Sequence, residues 1–250
     1  MSYAVVTRDR EGAAPYAAAL AALGLEVVAM PVTRTEPPAD PGALARALAG
    51  GGYAAIVCAS ARAAAALVVA ASEIPAPLPE VWAVGRATAG ALEAGQIRAV
   101  VPEGVRDGAT LAAALVAARG VALAGARVLV PRAEEGREEA ITCLRAAGAE
   151  VVDVTVYRTV RTPADDPALA EGRALLAGDG AAVCVVLAPS QVAALAALVQ
   201  VPALRLPFAA IGETTAAALR TAGAGTIAVA ESPTPAGIAR AVRSVYPRPP

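Results

Sequence analysis

The residues in this chain that could do chemistry stand where apolar runs end. Phe208 to Leu219, FAAIGETTAAAL, reads as a short buried strand, a glycine turn and the start of a helix. Gly212 lets the backbone turn, and Thr214 or Thr215 caps the helix. Such a turn aims free backbone N–H groups and the positive end of the helix dipole at one point, which favours an anion. The turn has an echo in Trp82 to Leu92, WAVGRATAGAL, where Gly85 and Thr88 stand 127 residues before Gly212 and Thr215. Two more turns carry serines, CASARAA at 58 to 64 and APSQVAAL at 188 to 195. Ser60 and Ser190 each offer a hydroxyl beside N–H groups to a carboxylate or phosphate, or simply cap the helix that follows.

Arginine and one tyrosine complete the set. Arg8 ends the first apolar run, and PRAEEGREEA at 131 to 140 puts Arg132 at a strand end and Arg137 in a following helix. Both could pair with an anionic substrate through the planar guanidinium fork, or form a solvated face with Glu134 and Glu138. Tyr157 ends VVDVTVYR. It is either a proton donor at a leaving group or a tyrosine packed at a domain junction.

What is missing narrows the chemistry. The 250 residues include no His, Lys or Asn, so all 21 basic residues are Arg. That removes histidine general bases, serine and cysteine nucleophile pairs, lysine Schiff bases, the phosphate-loop lysine and the usual metal ligand sets. The three cysteines, Cys58, Cys143 and Cys184, lack metal spacing and read as small core residues. A net charge of −1 and 3% aromatic residues argue against a nucleic-acid partner. No G-x-G-x-x-G fingerprint supports a nucleotide or flavin. No apolar run approaches a membrane span, and Arg8, Asp9 and Arg10 interrupt any leader-like start, so a soluble cytoplasmic protein is expected.

The elements that must position these residues alternate. Strands of about five residues are expected at 3–7, 26–32, 53–58, 81–84, 98–101, 126–130, 150–157, 181–187, 208–211 and 226–230. Helices fall between them, among them 16–23, 61–71, 87–94, 134–147, 190–199 and 214–222. The proline-rich TRTEPPADPG and RTPADDP read as linkers, and the tail YPRPP as frayed. Apolar strands alternating with helices predict α/β architecture, a parallel sheet with helices on both faces and ligands at the carboxyl ends of the strands. An internal repeat runs through it: LGLEVVAMPVTRT at 23–35 resembles AGAEVVDVTVYRT at 147–159 at an offset of 124, and Ser60 meets Ser190 at 130. Two homologous units, about 1–123 and 124–250, with a cleft between two site edges, are expected.

Taken together the chain resembles the uroporphyrinogen-III synthase family. The resemblance rests on VVTR at 5–8, PRAEEGREEA with the later GAEVVDVTVYRT, APS at 188–190, AAIGETTAAAL at 209–219 and AESPTPAGIARAV at 230–242. It implies two flavodoxin-like or Rossmann-like domains joined by a two-stranded linker, the second inserted in the first. Domain 1 would take 1–33 plus 165–250 and domain 2 would take 41–160, with linkers at 34–40 and 161–164. The implied activity is closure of the linear tetrapyrrole hydroxymethylbilane with inversion of the D ring and loss of water. It uses no metal or organic cofactor, and a monomer is expected. The resemblance also implies that Tyr157 assists departure of the hydroxyl group. Ser60, Ser190, Thr215 and Thr88, with Arg8, Gly85, Arg132, Arg137, Gly212 and Thr214, would meet the substrate's carboxylates. Where the family often carries a further hydroxyl before each serine, this chain has Ala59 and Pro189, preceded by Cys58 and Ala188. That shifts carboxylate binding toward backbone N–H groups. The alternative is a hinged module on the same fold that binds anions without turnover.

Overall fold

The computed structural model of the chain describes residues 2–74, 77–178 and 180–246. Its first elements are β1 (Ser2–Val6), α1 (Arg10–Ala21), β2 (Leu25–Ala29), β3 (Thr33–Glu36), α2 (Ala43–Gly50), β4 (Tyr53–Cys58) and α3 (Ala61–Ser72). There follow β5 (Glu80–Ala83), α4 (Arg86–Glu93), β6 (Ala99–Val100), α5 (Gly108–Arg119), β7 (Arg127–Ala133), α6 (Glu139–Ala146) and β8 (Glu150–Arg161). The last are α7 (Ala170–Ala177), β9 (Ala181–Val186), α8 (Pro189–Leu198), β10 (Phe208–Ala210), α9 (Glu213–Thr221), β11 (Ile227–Val229) and α10 (Pro235–Val245). Contacts divide the chain into one unit of Met1–Arg34 with Val160–Pro250 and a second of Thr35–Thr159.

The first unit holds a five-stranded sheet in the order β11-β10-β9-β1-β2, parallel throughout. Alternate side chains feed two helical layers, as the two-residue period of a strand requires. Val5, Cys184, Val186 and Phe208 pack with Leu176, Leu195 and Leu219 from α7, α8 and α9. Ala4, Val6, Val183 and Val185 pack on the other face with Leu20 of α1 and Ile238 and Val242 of α10.

The second unit's sheet runs β3-β8-β7-β4-β5-β6. Ile56 and Cys58 meet Leu67 of α3 and Leu92 of α4 on one face. Ala55, Val57, Val128 and Val130 meet Leu111 and Leu115 of α5 and Leu144 of α6 on the other. Burying each leucine contributes about 1.5 to 3 kcal/mol relative to exposure.

The repeat in the sequence is real in three dimensions, but its halves are not the compact units. Strand succession is the same in both sheets, β2-β1-β9-β10-β11 and β8-β7-β4-β5-β6. The pair β1 and β2 therefore corresponds to β7 and β8, and β4 with its serine turn corresponds to β9. Each unit joins the opening pair of one repeat to the closing strands of the other. The homologous units expected at 1–123 and 124–250 are therefore repeats of strand order, each shared between the two compact units.

Several boundaries also move. Residues 33–36, expected in a linker, form β3 beside β8, because Thr33 and Thr35 suit a pleated strand and only Pro37 and Pro38 stop it. Strand β8 continues to Arg161. Helix α1 starts at Arg10, where Asp9 accepts the Gly12 N–H at 2.7 Å. The helix expected over 134–147 is only Glu139–Ala146, since the chain first makes a turn with the Gly136 N–H on the Ala133 carbonyl at 3.0 Å. The tail beyond Tyr246 lies outside the described residues.

In each sheet one neighbouring pair of strands sends its crossovers in opposite directions, β1 with β9 and β4 with β7. A crevice opens at the carboxyl ends of such a pair, because no connection covers it.

Candidate active site

At the carboxyl ends of β4 and β7 lies a cavity of about 370 Å³ lined by Ser60, Arg106, Asp107, Arg132, Arg137 and Tyr157, among others. Four of the residues singled out in the sequence therefore converge on one wall. Ser60 caps α3, its Oγ accepting the Ala63 N–H at 3.1 Å. The hydroxyl hydrogen stays available to a ligand.

Tyr157 reaches the cavity through an irregularity in β8. Arg132 pairs with Thr155 but Ala133 pairs with Tyr157, so β8 advances two residues against one in β7. A bulge of this kind re-aims the side chains beside it. The Tyr157 ring is half-buried beneath Arg62 of α3, whose guanidinium carbon is 5.8 Å from the ring centre. Arg62 makes no ion pair among the described residues, and sequence reasoning passed over it. Its place two residues after a capping serine was the available signal.

Arg132 is turned toward protein acceptors, Asp153 and the Gly136 carbonyl, rather than into open space. Arg137 and Arg106 are exposed and make no ion pair among the described residues. Asp107 caps α5 through the Thr110 N–H at 2.8 Å. The Thr110 backbone, then the Thr110 hydroxyl, hold its carboxyl below the usual range, with Arg137 and Arg106 adding to the effect. Of the three guanidiniums on the lining, that of Arg132 is paired with Asp153, so those of Arg106 and Arg137 stand against the carboxylates of Asp107 and Glu139. A larger cavity of about 630 Å³ beside α1 and β2 is rimmed by Asp9, Glu26 and Glu171 with Arg10. That sign repels a polycarboxylate, so the smaller cavity is the better candidate.

Gly85 and Thr88 belong to the second unit but lie one strand further on, after β5. Gly85 has φ +91°, a conformation that glycine adopts without strain, and Thr88 is buried.

The first unit carries the other five residues. Arg8, half-buried, follows β1, and Ser190, exposed, follows β9. Between them Thr7 donates to Gln191 Oε1 at 2.8 Å, and the same oxygen accepts the Leu187 N–H at 2.9 Å. Both side chains are buried, so this bond fixes the crevice walls. Neither was found from sequence, because a Thr and a Gln give no local signal of a long-range bond. Ser190 does not cap α8. Ala188 holds the cap position and Pro189 follows it, which puts Ser190 inside the first turn.

The turn after β10 also differs from expectation. Gly212 is extended, at φ −177°, and a Cβ there would touch nothing within 4 Å, so the turn does not require glycine. Gly212 is itself the cap, with no side-chain bond, and neither Thr214 nor Thr215 caps α9. Thr214 is exposed. Thr215 is 1% exposed, and its Oγ1 has no hydrogen-bond partner among the described residues. Among the described residues no group of three His, Cys, Asp or Glu side chains could hold a metal, and no helix is long and apolar enough to cross a membrane.

Comparison with known proteins agrees on one family. A family model described as uroporphyrinogen-III synthase HemD matches residues 14–240. The structure of uroporphyrinogen-III synthetase from Helicobacter pylori is similar with a TM-score of 0.62 at 17% identity, covering 98% of this chain and 99% of that one. A mutant uroporphyrinogen III synthase from the extremely thermophilic bacterium Thermus thermophilus gives 0.59 at 20% identity, covering 98% of each. At such identities the structures bear on the fold. No curated protein sequence matches the chain.

Proposed function

The chain belongs to the uroporphyrinogen-III synthase family, and we propose on that premise how its own residues serve the reaction. The activity is that of a lyase that closes hydroxymethylbilane with D-ring inversion and loss of water, giving uroporphyrinogen III. The pyrrole electrons expel the hydroxyl group, leaving an azafulvene cation that closes through a spiro intermediate. The protein therefore needs no strong nucleophile, which suits a chain without His or Lys. It must fold a flexible substrate and hold charge, by orientation and preorganised electrostatics.

Tyr157 hydrogen-bonds the departing hydroxyl. Ser60, the N-terminus of α3, Arg106 and Arg137 hold carboxylates of the substrate, and Arg132 supports them. In the first unit Arg8, Ser190, Thr214 and Thr215, with backbone N–H groups at Gly212, take further carboxylates. Gly85 and Thr88 do the same in the second. The observation that carries this reading is the convergence of Ser60, Arg132, Arg137 and Tyr157 on one arginine-bearing cavity at a strand switch point.

The two compact units act as domains, 1–33 plus 165–250 and 41–160, joined by 34–40 and 161–164. A monomer in the cytoplasm completes the reading; three unpaired cysteines suit a reducing compartment. Incubation with enzymatically generated hydroxymethylbilane tests the function. The type III isomer is expected, and type I alone, the product of spontaneous closure, would refute it.

A further inference from the structure

The hydrogen bonds of Arg132 show a role for a neighbour that lies outside the cavity wall. Its Nε and Nη2 each lie 3.0 Å from Oδ2 of Asp153. Nη1 donates to the Gly136 carbonyl at 3.1 Å and reaches the Ala133 carbonyl at 3.4 Å. Nη2 stands 3.8 Å from a Glu138 carboxylate oxygen, and the Arg132 side chain is only 19% exposed. These contacts grip both ends of the Ala133–Gly136 turn. Just before Arg137, a Cβ at Gly136 would stand 3.0 Å from the Ala133 oxygen and 3.5 Å from Arg132 Nη1. A side chain there would press on the Ala133 carbonyl that closes the turn. The Glu134 N–H meanwhile donates to the Tyr157 carbonyl at 2.9 Å.

We infer that Asp153 is a positioning residue for the reaction: through Arg132 it fixes the Ala133–Gly136 turn and so the place of Arg137 relative to Tyr157. An aspartate opposite Val130 in the middle of β8 runs against strand preference. Its pairing with Arg132 accounts for it. A charge-assisted pair is stronger than neutral hydrogen bonds, so the turn is held by the firmest contact available there. Because Asp153 neutralises Arg132, the charge presented to the substrate from this segment is that of Arg137.

This inference rests on the reading that Arg137 binds a substrate carboxylate, and a double-mutant cycle separates the two. Steady-state kinetics with hydroxymethylbilane are measured for Asp153→Asn, Arg137→Gln and the double variant. Each single change is expected to raise KM about tenfold, and the double variant to be no worse than Arg137→Gln alone. Multiplying effects, about a hundredfold in the double variant, would overturn the inference while leaving the reading of Arg137 intact. An unchanged KM in Arg137→Gln would overturn both. If Asp153→Asn does not fold, Gly136→Ala displaces the turn without altering any charge. Its rise in KM should likewise vanish in the Arg137→Gln background, and a rise that persists there sinks the inference. A purely structural part for Asp153 would lower Tm in every background without this dependence on Arg137.

Discussion

The guanidinium of Arg62 covers the ring of Tyr157 at 5.8 Å, so a cation from the start of α3 holds the aromatic residue that ends the bulged stretch of β8. An exposed cation–ring contact contributes about 0.5 to 1 kcal/mol. That is enough to favour one ring orientation while leaving the hydroxyl unengaged, since the hydroxyl makes no hydrogen bond among the described residues.

Tyr157→Phe keeps the ring and its cover and removes only that hydroxyl. The rate of type III formation is expected to fall severalfold or more without vanishing, and Tm to stay within experimental scatter of the parent. Stopped assays of isomer yield, paired with thermal melts, check both. An unchanged rate would remove Tyr157 from the mechanism.

Thr215→Val tests the first unit, because stability and binding should move in opposite directions. The Thr215 hydroxyl is buried without a partner among the described residues, so an isosteric methyl is expected to be neutral or stabilising by about 1 kcal/mol in urea unfolding. Product binding, followed by calorimetry, should weaken. If binding holds and stability drops, the hydroxyl is structural.

The cysteines give a pH dependence. Burial pushes the thiols of Cys58 and Cys184 up to about 12 from an ordinary 9.0. The folded state keeps protons that the unfolded chain releases. Stability from these groups is therefore full below about pH 9 and lost as pH rises toward 12, by about 1.4 kcal/mol per unit for each thiol. Urea melts from about pH 8 to about pH 10.5 should show this decline, and Cys184→Ala should flatten it. Alkylation at about pH 8 should reach only Cys143 in the native protein and all three thiols in urea.

How much was legible follows from how local each signal is. The α/β alternation could be read because strands such as Tyr53–Cys58 and Ala181–Val186 are apolar on both faces, a pattern set by burial alone. To a reading of the residues alone strand β3 was hidden, because TRTE is held by a partner, β8, far along the chain, while the adjacent prolines look like a linker; only the family resemblance implied strands there. The expectation that Thr214 or Thr215 caps a helix, and the capping alternative for Ser190, failed for a similar reason. The rule finds a hydroxyl near a helix start, but Gly212 and Ala188 occupy the cap positions themselves. Of the site, the turns and Tyr157 carry a local signature. The Thr7–Gln191 bond, the Arg62 cover and the Asp153 pairing join residues brought together only by the finished sheet, and no window of sequence contains both partners.

The exchange of halves between the two sheets has a consequence for synthesis. Residues from Thr35 to Thr159 contain every strand of their own sheet from β4 to β8, so that unit can close as soon as its stretch of chain emerges from the ribosome. Strands β1 and β2 are made first but must wait, from Ala29 to Ala181, for β9 to arrive beside them. One edge of the earliest strand, β1, is thus among the last to be paired, although β2 meets its other edge early, and the sheet begun first is the one completed last.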